Sequence, residues 1–467
     1  MRHAPNRRSV FAYREVRRRR RHSEVRHDLT ILFLAWGLCG ASWWAAVQGA
    51  PYTAYAVRLG ANPLMLGLLS AAAVLGVVAQ PLSSYWVERT GRRKLIFLVA
   101  GFIQRPLWVL VGALPFLIPS AHERWRLMAL LGLALLSSTL GSAMTPAWIS
   151  WIAYVIPQRV RARFLGTRFR LGTVTGIIVA LVVGWVLDRS SSYLAFFAIF
   201  GFAALMGIGD VLFISFVPRR YEIRASEPPS LISIIFSPWR DASFRRYLFY
   251  AASSAASYGI IGQFATLYLL ENLALGKFFT NLYMLVIPLV IAALLGPAFG
   301  RQIAYFGNRP VLMLTTMLAI LVPVMWGLAG PTSYVLLTAA SVVAGVVTAA
   351  LTVAELNMLF TMTPADKRSA HVAAVAVVSG LVGAVAPVLG GAIAQWLTGW
   401  ERVVWGVRLV NLHGVFLAAT LLRVIHLAVF VPRLPEPKAR STAALVTDLL
   451  REPGGIAAAT VQRLRRR

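Results

Sequence analysis

The 467-residue chain is 58% hydrophobic and only 13% charged, against about 45–50% and about 25% in soluble domains, so it has too few charges to cover a water-soluble surface. Its 46 Lys and Arg against 17 Asp and Glu, a net +29, point to an anionic membrane or nucleic acid as the partner of the basic excess. One cysteine, Cys39, excludes an intramolecular disulfide framework, and no Cys/His spacing matches a structural zinc site, so no metal or other cofactor is expected.

A membrane-spanning helix needs about 20 consecutive apolar residues, and windows of that size recur along the chain after a basic tail, residues 1–30. In the first half, residues 31–218, spans are predicted from Ile31 to Tyr55, Leu64 to Ser84, Leu95 to Ile118, Leu127 to Ala153, Leu171 to Leu187 and Tyr193 to Val217. The first window is far longer than the apolar core of a signal peptide, about 7 to 15 residues, and is expected to stay in the membrane. A linker, residues 219–245, carries Pro228, Pro229 and Pro238, which oppose one continuous helix. The second half, residues 246–431, repeats the pattern from Tyr247 to Leu270, Phe279 to Phe299, Val311 to Ala329, Tyr334 to Met362, His371 to Trp396 and Leu409 to Val431. The last segment, residues 432–467, is basic again, with a short surface helix expected around Leu445 to Leu450.

Alternating the loops between two sides places 37 of the 46 Lys and Arg residues on the side of both termini and 7 on the other. By the positive-inside bias both termini are expected in the cytoplasm, with the chain in a cell (inner or plasma) membrane. The runs Arg17 to Arg21 and Arg465 to Arg467 also suit nucleic-acid phosphate, but basic residues flanking spans are what topology and anionic lipid require, so nucleic acid is not the expected partner. The expected fold class is an all-α integral membrane protein of twelve helices in two pseudo-symmetric six-helix bundles.

Short internal repeats support the duplication. The loop after the second span reads Glu88-Arg89-Thr90-Gly91-Arg92-Arg93, and a shift of 216 residues aligns Gly91 with Gly307 and Arg93 with Arg309 in the loop after the eighth. A second pair, Pro157 with Arg161 and Pro364 with Arg368, follows the fourth and tenth spans at the same four-residue spacing. At these residues the chain resembles the major facilitator superfamily, whose loop motif has acidic, basic and glycine positions matched by Glu88, Arg89, Gly91, Arg92 and Arg93. Ser84 stands where the first glycine would be, and Ala304 replaces the acid in the second copy, so a gating carboxylate is expected in the first half only. Gly91 permits a tight turn, and Glu88 is placed to pair with Arg92 or meet a helix N-terminus. A conformation-dependent ion pair there biases one of two states by about 1–3 kcal/mol, whereas a purely topological loop does not.

The resemblance implies a central cavity lined by the first, fourth, seventh and tenth helices. At 100° per residue, Trp44, Gln48, Tyr52 and Tyr55 share one face of the first span, and Ser138, Ser142 and Thr145 one face of the fourth. The seventh offers Ser254, Ser257 and Tyr258 with Gln263 pointing away; the tenth offers Ser341, Thr348, Thr352 and Glu355. For the hydroxyls, interhelical packing is an equal reading. Four ionisable residues lie inside spans, Arg105, Asp210, Glu355 and Arg423, where charge is costly and usually functional or paired. Glu355 is expected to contact substrate or carry a coupling proton, with a structural ion pair as the bland alternative. Arg105 on the peripheral third helix satisfies a carbonyl freed by Pro106, pairs with an acid or binds an anion; Asp210 and Arg423 are expected to pair or snorkel. His413, His426 and the glycines of the fifth and eleventh spans are assigned to packing.

No Gly-x4-Gly-Lys-Ser/Thr loop is present, so direct use of ATP is not expected. The reading is a secondary transporter, not an enzyme, that moves a small-molecule substrate across the lipid bilayer by alternating access, with proton coupling as a candidate energy source. The alternative is a transporter-like receptor or assembly protein that translocates nothing.

Overall fold

A computed structural model describes residues 27–156, 158–218, 237–363, 368–404, 407–436 and 439–451. Pro157 and Pro364 of the second repeat match, linker residues 219–236 and the basic runs of both tails lie outside the described residues. Eleven helices are long and apolar enough to cross a membrane: α1 (His27–Arg58), α2 (Pro63–Thr90), α3 (Arg93–Leu117), α4 (Glu123–Val155), α5 (Gln158–Arg189), α6 (Tyr193–Phe216), and then α8 (Lys277–Phe306), α9 (Asn308–Leu328), α10 (Tyr334–Met362), α11 (Arg368–Trp396) and α12 (Asn411–Phe430). The twelfth, α7, is broken: Ala242–Gly259 ends in a turn, and the chain resumes as Phe264–Leu267 and Tyr268–Asn272. The amphipathic α13 (Thr442–Arg451) closes the described chain where a short surface helix was expected.

Local chemistry sets these ends. Asn62 caps α2 by accepting from the Met65 amide at 2.8 Å, with Pro63 at the first helical position. Asp241 accepts from the amides of Ser243 and Phe244 at 2.8 and 3.2 Å, so α7 starts at Ala242, inside the segment expected to be linker. The membrane-embedded part is all-α. One element was not expected: β1 (Glu401–Val404) pairs antiparallel with β2 (Val407–Val410) in a hairpin between α11 and α12. Its valines suit a pleated strand, and α12 accordingly begins at Asn411 rather than Leu409.

Both described chain ends lie on one face, termed here the tail face. On the far face a single apolar cluster joins the halves, with Tyr55, Leu187 and Phe200 of the first packed with Phe264, Tyr268 and Trp326 of the second. Towards the tail face the core divides, into Leu32, Trp151 and Ile214 within the first half and Phe244, Met358 and Leu445 within the second. Glycines let the halves touch. A Cβ on Gly67 would lie 2.4 Å from the Pro387 carbonyl oxygen, and one on Gly184 2.7 Å from Phe278 Cα. Asp188 at the end of α5 accepts from the amides of Lys277 and Phe278 at 2.6 and 3.0 Å, holding the start of α8 against the first half. The glycines of α5 and α11 thus serve packing: Gly390 and Gly391 meet the carbonyls of Ile260 and Pro63, and Gly172 meets Trp36.

The duplication is visible atom by atom at the far face. α1 and α7 each break at a left-handed glycine, Gly49 (φ 70°) and Gly262 (φ 36°). Six residues later, Tyr55 donates to the Val111 carbonyl at 2.5 Å and meets Phe200 edge-on at 5.1 Å. Tyr268 does the same, donating to the Ala329 carbonyl at 3.0 Å and meeting Phe416, 216 residues after Phe200, at 5.3 Å.

Candidate functional site

Inside the first half lies a cavity of about 600 Å³. α1 contributes Trp36, Trp43, Trp44, Gln48 and Tyr52, and α4 contributes Ser138, Ser142, Thr145 and Trp148. Gln104, Arg105 and Trp108 come from α3, Arg168 from α5 and Asp210 from α6; Gln263 is the lining residue from the second half. The expectation of a wall shared by the first, fourth, seventh and tenth helices is therefore corrected: α10 contributes nothing, and α3, α5 and α6 supply all the charge.

Three local devices build this wall. The residues Ala35–Gly40 of α1 form a π-helical stretch, which shifts the register of the face that follows. Gly40 is then close enough to α6 that a Cβ would sit 3.2 Å from Asp210 Cγ. Gly172 makes room for the Trp36 indole, and Gly207 for Arg105, whose Cδ would lie 2.6 Å from an added Cβ. α3 is interrupted at Arg105 and Pro106, between Arg93–Gln104 and Leu107–Leu117.

Arg105 and Asp210, 4% and 2% exposed, pair at 3.2 Å between Nη2 and Oδ2. The Arg105 guanidinium also lies 3.6 Å from the centre of the Trp43 ring. Arg105 is thus in the cavity wall, not peripheral, and Asp210 does not snorkel. Arg168 is flanked by Trp36 and Trp148, at 5.2 and 4.7 Å from the ring centres. Five lining residues keep buried polar atoms with no hydrogen-bond partner among the described residues: Nε and Nη1 of Arg105, the indole nitrogens of Trp43 and Trp108, Oε1 of Gln104 and Oδ1 of Asp210. Such atoms normally find a partner, and here they cluster in the cavity wall.

Of the residues singled out in the sequence, Trp44, Gln48, Tyr52, Thr145, Arg105 and Asp210 meet here; Glu355, Tyr258, Thr348 and Thr352 do not. Thr348 and Thr352 donate to the carbonyls of Ala344 and Thr348 in their own helix, each at 2.8 Å. Tyr55 is fully buried in the far-face core. Gln263 points into the cavity, because the break at Gly262 ends the 100° periodicity that turned it away; it accepts from Thr53 at 3.2 Å. Glu355 belongs to a second polar cluster. Its Oε1 accepts from Tyr250 at 3.1 Å and Ser254 at 2.9 Å, with no cation in ion-pair range among the described residues. His426 is fully buried beside it, its Nδ1 2.7 Å from the Ser253 hydroxyl. Arg423 neither snorkels nor pairs with an acid: it is 4% exposed, donates to the Ala319 carbonyl at 2.6 Å and lies 4.8 Å from the Tyr258 ring centre.

The repeated loops also part company. Gly91 adopts φ 71° and ends α2, and the expected Glu88–Arg92 ion pair is not formed. Arg89 turns back to the Tyr85 hydroxyl at 2.7 Å. In the second copy Gly307 has φ 95°, and a carboxylate is present after all: Glu436 accepts from the Asn308 amide and side chain at 2.9 and 2.8 Å and from the Arg309 amide at 2.7 Å. The expectation of an acid in the first half only is overturned. The acid comes from the segment after α12, which no loop alignment brings into register.

Arg168, Trp36, Trp43, Trp148 and Gln104 were missed. Arg168 falls between the predicted fourth and fifth spans because an apolar window ends at charges, yet α5 starts a full ten residues earlier, at Gln158. The spacing of seven between Trp36 and Trp43 was the available signal.

The sequence profile of the Major Facilitator Superfamily matches residues 32–301 and again 247–461. The chain belongs to the Major Facilitator Superfamily. It is accordingly a multi-pass membrane transporter. Two overlapping matches also fit a repeated chain. Among solved structures, a variant of the nucleoside transporter NupG superposes with a TM-score of 0.69 at 14% identity, covering 88% of this chain and 100% of that one. A bacterial homologue of the human lysosomal transporter Spinster, inward-facing and occupied, gives 0.64 at 16%, covering 88% and 96%. A bacterial homologue of the iron transporter ferroportin, inward-facing, gives 0.63 at 13%, covering 86% and 98%. No curated protein matches the sequence. At such identities the likeness establishes the superfamily fold and leaves the cargo open.

Proposed function

We propose that this protein is a secondary transporter that carries a small solute by alternating access, with both termini in the cytoplasm of a cell membrane. The observation that carries the reading is the cavity in the first half, with its buried Arg105–Asp210 pair, beneath a far face sealed by packing between the halves. The 37 to 7 split of basic residues supports the orientation, which makes the sealed face extracytoplasmic. The two units, residues 31–218 and 246–431, rock about the cavity. Trp44, Gln48, Tyr52 and Thr145 contact the solute, and Arg105 and Asp210 anchor it.

The loops on the tail face control the opposite gate. Glu88, Arg89, Gly91, Arg92 and Arg93 act at the end of α2, and Gly307 and Arg309 act with Glu436 at the start of α9, where three donors hold one carboxylate. The Glu355 cluster is the candidate proton site, since a carboxylate held only by hydroxyls exchanges a proton without breaking an ion pair. Tyr258, Thr348 and Thr352 serve its surroundings.

Reconstituted vesicles, loaded with a metabolite mixture and read by mass spectrometry with and without an imposed proton gradient, test this. Selective passage of at least one solute is expected; binding with no passage of any solute replaces the transporter with a receptor. Glu355→Gln is expected to abolish acceleration by the gradient while downhill exchange persists. Undiminished gradient dependence removes the coupling role.

A further inference from the structure

Resting on the transporter reading, we infer that the cavity selects a planar aromatic organic anion. Three charged side chains line it, Arg105, Arg168 and Asp210, leaving a net charge of one positive unit. Arg105 and Asp210 neutralise each other at 3.2 Å. Arg168 has no carboxylate in ion-pair range among the described residues, and its Nε donates to the Leu32 carbonyl at 3.4 Å. Its remaining donors make no hydrogen bond among the described residues and can take an anion.

Five of the fourteen tryptophans line the space. Aromatic boxes often serve cations, but here the faces of Trp36, Trp43 and Trp148 already carry the protein's own arginines. A cationic solute would meet two fixed guanidiniums; a planar anion stacks on the Trp44 ring, which carries no arginine, and ends at Arg168. The volume of about 600 Å³ suits a solute of two or three rings.

Equilibrium dialysis of the full-length protein in lipid nanodiscs tests this with four probes: naphthalene-2-sulfonate, naphthalene-2-sulfonamide, 2-naphthylmethylammonium and cyclohexanesulfonate. The aromatic sulfonate is expected to bind at least about tenfold tighter than each of the others. Arg168→Gln is expected to bring sulfonate and sulfonamide within about threefold. Equal or tighter binding of the amide or ammonium by the unaltered protein overturns the inference, as does an undiminished sulfonate preference in a folded Arg168→Gln variant. If that variant does not fold, the four-probe ranking on the unaltered protein decides alone. Vesicle assays with the same probes separate the two layers. Sulfonate bound but never carried leaves the solute class standing and removes transport; ammonium carried without competition from sulfonate keeps transport and removes the class.

Discussion

The two halves keep one frame and fill it with different chemistry. The far-face corners superimpose in kind, Gly49 with Gly262 and the Tyr55–Phe200 pair with Tyr268–Phe416. Halfway down they diverge. In the first half a buried arginine rises from α3, finds Asp210 on α6 and faces a cavity; Gly207 makes its room. Shifting by 216 residues puts Arg423 at the place of Gly207 and His426 at that of Asp210. The second half therefore holds its arginine from the opposite helix, against a backbone carbonyl and an aromatic ring, with no acid in ion-pair range among the described residues. Packing that closes a bundle tolerates little change, whereas polar positions inside it are free to specialise once each buried group keeps a partner.

The largest expected effect tests that divergence. Arg105→Leu leaves Asp210 buried without its cation and is expected to cost about 3–5 kcal/mol, most of it recovered in Arg105→Leu/Asp210→Leu. Arg423→Leu strands no acid and is expected to stay within about 1 kcal/mol. Thermal unfolding of the detergent-solubilised variants reads both, and equal losses would break the comparison. Next come Gly49→Ala and Gly262→Ala, each expected to cost about 1–2 kcal/mol because alanine must take a left-handed backbone. Matched losses sharpen the shared frame; a loss confined to one half refutes it. Tyr55→Phe and Tyr268→Phe should follow at about 1 kcal/mol each, one buried hydrogen bond apiece.

The hairpin has no counterpart in the first half, and its effect should be the smallest. Hydrogen bonding to Arg408 holds the Glu401 carboxyl below the usual carboxylate range. A lowered carboxylate contributes stability that is present above its ordinary range and lost as pH falls through the lowered value. Both side chains are solvent-exposed, so Glu401→Gln should leave the melting temperature unchanged within about one degree at neutral pH. A larger drop would make the hairpin part of the frame.

Much of the site was legible. Trp44 and Thr145 followed from periodicity because Ala41–Val47 of α1 and α4 are regular helices; Gln48 and Tyr52 flank the break at Gly49 and still line the cavity. Gln263 was misplaced because one glycine turn resets the phase of α7. Arg105 and Asp210 were each suspect as membrane charges, yet their pairing across 105 residues of chain is a contact no local pattern encodes. Arg168 was hidden by its own charge, which reads as loop in any hydropathy window.

The sequence by itself determined the membrane as solvent, the approximate spans and the duplication, because all three follow from near-neighbour composition and short repeats. Only the tertiary structure decided that the cavity lies within the first half, that Glu355 stands apart from it, and that Glu436 supplies the second loop's acid. The reason is physical: hydropathy and helical phase act within one helix, whereas a cavity and its charge balance are set by which faces of several helices meet.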